Sequence, residues 1–292
     1  MKKFVLFLTM VLTLSLLSGC GSPAAPEAQV AATTLPVYTF TSRLLEGTDI
    51  SCTRLVTEQV SCLHDYALNI DQVRCSEAAE TIVISGAGLE DFLGDLLNNE
   101  DKIIDASLNV PLLPSKEDHH HEGHDHALGD PHIWLSPEIA KLMVTNIYNG
   151  LSQKYPEAKD IMGNNLQKLM EDLTALQTYG EEQLRDLSCR EIITFHDGFA
   201  YLAQAFDLTI LRSIEEEHGS EASARDLGDL IALVKEHQLP AVFTEANGSD
   251  AAASVIATET GVKTYALTTA MSGDDYFAAM RQNIDTLKEA LK

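Results

Sequence analysis

The chain has 292 residues, with 44 acidic against 20 basic side chains and a formal net charge of −24 at pH 7. Phosphate binding depends on Lys and Arg, so this balance excludes nucleic acid and disfavours anionic lipid headgroups as partners; it suits a cation binder or simply a very soluble protein. The length suffices for two lobes.

Lys2 and Lys3 precede an apolar run over residues 4–17, then Leu17-Ser18-Gly19-Cys20. A basic start, an apolar stretch too short to span a bilayer stably and small residues at a cleavage point make residues 1–19 a secretory signal. Its removal takes away two lysines and no acid. The cysteine after the small pair resembles a bacterial lipobox, which implies lipid attachment at Cys20; an ordinary signal peptide with an incidental cysteine is the alternative. Residues 20–31 read as a lipidated N-terminus and tether. Export permits disulfides. Cys52, Cys62, Cys75 and Cys189 allow three full pairings, which spacing does not separate, and a short-range bridge among the first three is expected. Thiolate zinc ligation ranks below it, since the sequence has no C-x-x-C pair.

From residue 32 strand-like and helix-like pieces alternate. A strand leading into a helix is expected over 34–45, a strand over 50–56, a helix over 71–79, a strand over 81–85, a helix over 89–97 and a strand over 103–105. Pro137 behind Ser136 marks a helix start, and helical spacing continues to Leu151. After Pro156 a run of about thirty helical residues, 158–187, would span roughly 45 Å. The rhythm then resumes: strands at 191–195, 208–211, 241–244 and 263–267, helices at 199–206, 222–237, 251–260 and 276–291. Strands alternating with helices predict an α/β fold of two βα lobes with parallel sheets, 32–157 and 188–292, joined by a long rigid helix over 158–187.

Three histidines stand where strands or turns end: His64 in Cys62-Leu63-His64-Asp65-Tyr66, His132 in Asp130-Pro131-His132-Ile133-Trp134-Leu135-Ser136-Pro137, and His196 in Phe195-His196-Asp197-Gly198-Phe199. Open parallel sheets bind ligands beyond the carboxyl ends of their strands. Neutral imidazole is the commonest metal ligand, and zinc takes three or four N, O or S ligands. One such histidine alone is more often structural; three in comparable places point to a metal. Asp65, Asp130 and Asp197 are positioned to orient the rings through their other nitrogens. Residues 119–126 place His119, His120, His121, His124 and His126 among acids within the segment 117–128, an auxiliary cation-binding loop. The acidic run 215–221 reads as a solvated surface leading into a helix that starts near Ser223.

These motifs, with the closing Tyr276…Arg281-Gln282-Asn283-Ile284, resemble the zinc-type solute-binding lipoproteins of bacterial ABC metal importers. The resemblance covers nearly all of residues 32–292. It implies one metal in the cleft between the lobes, with His64, His132 and His196 as ligands, Zn2+ as transported ligand and an ABC permease as partner. It also implies a lipid-anchored, extracytoplasmic, monomeric binding protein that is not an enzyme. Manganese-type relatives have a carboxylate where His196 stands, and histidine there favours zinc. The family's Asp after the last strand is missing from Leu267-Thr268-Thr269-Ala270-Met271-Ser272-Gly273. Water is the first choice for the fourth ligand, then Glu245, then Asp274. The alternatives are an exported zinc hydrolase, for which no H-E-x-x-H is present, and a Mn/Fe-type lipoprotein or adhesin.

Overall fold

The computed structural model describes residues 28–60, 63, 66–114, 129–213, 223–246 and 251–292. Two four-stranded sheets, both fully parallel, form the two lobes. The first contains β1 (Val30–Ala32), β2 (Cys52–Arg54), β3 (Thr81–Ile84) and β4 (Ile103–Asp105) in the order β2-β1-β3-β4. The second contains β5 (Glu191–Thr194), β6 (Thr209–Ser213), β7 (Ala241–Glu245) and β8 (Lys263–Leu267) in the order β6-β5-β7-β8. The strand order is therefore the same in each lobe. Central strands β1, β3 and β7 are buried along their whole length, whereas the edges β2 and β6 are part-exposed. Burial on both faces of a parallel sheet is why Ile82-Val83-Ile84 of β3 and Ala241-Val242-Phe243 of β7 are continuous apolar runs.

The helices begin where local chemistry starts them. Asn69 and Gln72 form a reciprocal capping box on α2 (Ile70–Ala78), after α1 (Leu35–Leu44). Ser136 receives the Ile139 amide at the head of α3 (Pro137–Lys154), with Pro137 in the first turn. Ser223 and Asp226 box the start of α6 (Ala224–His237), which follows α5 (Ala200–Ala205). These side chains satisfy backbone amides that have no partner within the helix.

The connecting helix α4 (Lys159–Gln183) is 25 residues long, about 37 Å at 1.5 Å per residue. It packs on α1 and α3 of the first lobe and on α8 (Tyr276–Leu291) of the second. One end is tied by Asn165, which donates to the Leu44 and Glu46 carbonyls, and the other by Gln177, which donates to Ala205. One apolar core runs from Val30 and Phe40 through Leu169 and Leu176 to Tyr276 and Leu287. Helix α7 (Ala251–Thr260) covers the far face of the second sheet with α6.

Several expectations need correction. Strand β1 lies at Val30–Ala32, across the boundary at residue 31 expected for the end of the tether, and the residues read as the first strand form α1. The helix expected over 89–97 is a 3-10 segment, Asp91–Asn98, kinked at Gly94. The connecting helix stops at Gln183. Cys52 and Cys75 are free thiols, as is Cys189, so the short-range bridge is not formed. Cys52 packs with the core on one face of the first sheet and Cys75 with the cluster on the other. Burial pushes the Cys52 thiol up to about 12, which keeps it protonated. Among the described residues no helix is long and apolar enough to cross a membrane.

Candidate metal site between the lobes

His196 leaves the carboxyl end of β5, and Glu245 ends the neighbouring β7. The chain reverses its direction of travel across the sheet between these two strands, the place where open α/β sheets leave a crevice. His132 comes from the first lobe. It sits ahead of a short 3-10 turn, Ile133–Leu135, whose Trp134 is fully buried and donates its indole N–H to the Thr269 carbonyl of the second lobe at 2.7 Å. Tyr276 donates to the Trp134 carbonyl at 2.6 Å.

The two imidazoles meet. His132 Nε2 and His196 Nε2 are 3.2 Å apart, with ring planes at 82°. His132 is 2% exposed and His196 6%. Two nitrogens each about 2.1 Å from one ion at a tetrahedral angle stand roughly 3.4 Å apart, so the separation fits shared coordination. The tautomer of His132 is fixed from behind. Asp130 Oδ1 lies 2.8 Å from Nδ1 and accepts the His132 backbone N–H at 2.9 Å. A carboxylate there holds the proton on Nδ1 and leaves the Nε2 lone pair facing the centre.

Gly198 leaves the room. A Cβ on it would stand 2.6 Å from His196 Nε2 and 2.8 Å from His132 Nε2, in the space in front of both nitrogens. Sequence reasoning gave this glycine no role, because its contribution is a missing side chain.

The remaining expected residues fall as follows. Glu245 is buried; its Oε2 faces His196 Nδ1 at 3.9 Å, and Thr269 Oγ1 donates to its Oε1 at 3.4 Å. It thus stands on the side of the ring turned away from His132. Asp274 is exposed in the loop ahead of α8. Asp197 accepts from Ser213 at 2.8 Å. His64 with Asp65, the five histidines of 119–126, the acidic run 215–221 and Cys20 lie outside the described residues. Both flanks of the His64 segment are described. Glu58 on one side accepts from Tyr66 at 2.8 Å and from Gln72 at 3.1 Å on the other. These bonds hold the Glu58 carboxyl below the usual carboxylate range, Tyr66 contributing most.

Comparison with known proteins gives the following. The sequence model of the family described as zinc-uptake complex component A, periplasmic (ZnuA) matches residues 30–290. The zinc-binding lipoprotein AdcA of Streptococcus pneumoniae is 30% identical over 99% of this chain and 61% of its own length. The chain thus spans about three fifths of that relative. The high-affinity zinc uptake system protein ZnuA of Bacillus subtilis is 25% identical over 94% of this chain and 90% of its own. The Zn(II)-bound ZnuA-like domain of S. pneumoniae AdcA superimposes with a TM-score of 0.75 at 28% identity, covering 91% of this chain and 99% of that domain.

Proposed function

Since the chain belongs to the periplasmic zinc-uptake component A family, we propose that it captures Zn2+ outside the cytoplasm between its two lobes and delivers it to an ABC-type membrane permease. His132 and His196 supply two imidazole ligands through Nε2, and His64 supplies the third. The fourth position is taken by water. Glu245, behind the Nδ1 edge of His196, orients that ring instead of ligating. Cys20 carries the lipid that keeps the protein at the membrane, and His119, His120, His121, His124 and His126 form an auxiliary metal-binding segment. The protein works as a monomer and has no catalytic residue.

The observation that carries this reading is the buried 3.2 Å approach of two Nε2 atoms over a glycine. Neutral imidazole donors suit zinc better than the oxygen-preferring manganese. The names of the relatives, which speak of zinc binding and uptake, support the same cargo. The hydrolase alternative needs a base aimed at a metal-bound water, and Glu245, the carboxylate at hand, faces His196 Nδ1.

Calorimetric titration of the mature protein with residues 117–128 deleted tests the proposal. One equivalent of Zn2+ should bind tightly, and a zinc-edge anomalous map should show the ion on His64, His132 and His196. Absence of tight stoichiometric binding defeats it, and turnover of esters or peptides by the zinc-loaded protein would return the hydrolase reading.

A further inference from the structure

Leu113 and Gly129, which flank the His-rich segment in the sequence, lie side by side in the first lobe. The Asp130 amide donates to the Leu113 carbonyl at 2.9 Å. Gly129 has φ +96°, and a Cβ there would come 2.5 Å from the Leu113 oxygen, so a side chain would force this neck open. One group from the other lobe closes the junction. Tyr201, fully buried on α5, accepts the Leu113 N–H at 2.8 Å and donates its own proton to the Asp130 carbonyl at 3.0 Å. Burial pushes its phenol up to about 12, so it remains a donor at physiological pH.

Two consequences meet in this hydroxyl. It clamps the peptide of Asp130, whose carboxylate fixes the Nδ1 proton and the backbone of His132. It also lies five residues beyond His196 on the same stretch of chain. The distance between the two Nε2 atoms therefore depends on the register between a first-lobe turn and a second-lobe helix, and Tyr201 is a bond that sets that register. We propose that Tyr201 is the positioning residue of the metal site: its hydroxyl ties the neck at Leu113 and Asp130 to the segment that carries His196, and so holds the two imidazoles at coordinating distance. The inference rests on the zinc-capture reading of the same site. A ligand held within a few tenths of an ångström by such support retains metal longer than one left to find its place.

The test uses a parent in which His119→Ser, His120→Ser, His121→Ser, His124→Ser and His126→Ser remove competing ligands, compared with the same parent carrying Tyr201→Phe. Stopped-flow transfer of Zn2+ to a chelator should be about tenfold faster from the Phe variant, with melting shifted by only a few degrees. In the metal-free proteins, 15N spectra should show His132 as a single Nδ1–H tautomer in the parent and as an exchanging mixture in the variant, a change that a purely structural tyrosine would not produce. Dissociation within twofold of the parent, with unchanged His132 signals, overturns the proposal. If the parent itself fails to take one equivalent of Zn2+, the capture reading falls, while the metal-free tautomer comparison still decides the role of Tyr201. Should the variant not fold, amide exchange in the unsubstituted protein decides. The Leu113 N–H should exchange slowly and more slowly still with one equivalent of Zn2+; exchange at the rate of an open loop, indifferent to zinc, counts against it.

Discussion

Between β1 and β3 of the first lobe, and between β5 and β7 of the second, the chain reverses its direction across the sheet, and both sheets have the same strand order. At the first reversal the crevice is filled from within. Glu90, buried at 2% exposure, accepts from Thr33 Oγ1 at 2.7 Å, the Ser85 amide at 2.7 Å and the Gly86 amide at 2.9 Å, tying the carboxyl ends of β1 and β3 together. At the second, His196 and Glu245 occupy the corresponding strand ends, and Gly198 keeps the space in front of the rings empty of side chain. One topology thus yields a structural knot in one lobe and the proposed binding position in the other. The difference is whether the strand ends are bridged by a carboxylate of the same lobe or carry an imidazole that meets one from the other lobe. Substitutions at the first point should cost stability and spare affinity; at the second the costs should reverse.

The largest expected effect is at the second point. His196→Ala should weaken zinc binding by on the order of a thousandfold, about 4 kcal/mol, read by chelator competition, with little change in melting of the metal-free protein. Equal losses of affinity and metal-free stability would dissolve the contrast. Next comes Glu90→Ala, which strands three buried donors and should cost about 3 kcal/mol in denaturant unfolding while zinc affinity stays within a few fold. Gly198→Ala should follow, with roughly a hundredfold loss of zinc affinity, about 2.7 kcal/mol, because the new methyl stands 2.6–2.8 Å from both Nε2 atoms; retained tight binding would show that the rings do not converge on that space.

The smallest effect is a pH dependence. Burial, its main cause, pushes the Glu90 carboxyl up to about 7 against the hydrogen bonds from Thr33, Ser85 and Gly86, with the nearby Asp105 charge adding to the rise. A carboxyl whose folded value exceeds its unfolded one takes up protons on folding, so its stabilisation is complete below about 4.5 and lost as pH rises to about 7. The stability of the unsubstituted protein relative to Glu90→Gln should therefore fall by about 2.5 kcal/mol between pH 5 and 8. A difference that does not change with pH would mean that Glu90 remains a carboxylate throughout.

Much of this was legible in the chain, and the reasons differ by residue. The alternation of strands and helices showed because buried parallel strands and amphipathic helices impose different apolar spacings. Strand order did not show, because spacing marks elements and says nothing of their neighbours. Strand β1 was hidden because Val30-Ala31-Ala32 is short and alanine-rich, and its burial comes from β2, β3 and α1 packed around it. His132 and His196 could be read from motifs, and Asp130 from its place two residues before His132. Glu90 reads in sequence as an ordinary acid near a helix start; only the folded sheet ends reveal that it is enclosed. Tyr201 likewise reads as an aromatic core residue, and its hydroxyl acquires a purpose only when Leu113 and Asp130 are brought to it from the other lobe.

Trp134, the single tryptophan of the chain, is fully buried, two residues from His132, with ring centroids 5.4 Å apart. An indole so placed is a native fluorophore: its emission should be blue-shifted by the dry surroundings, and all of it comes from one position. Protonating the adjacent imidazole, or withdrawing electron density from it, should change the quantum yield, so arrival and departure of the ion can be followed by light in the unlabelled protein, down to the millisecond events that calorimetry averages away.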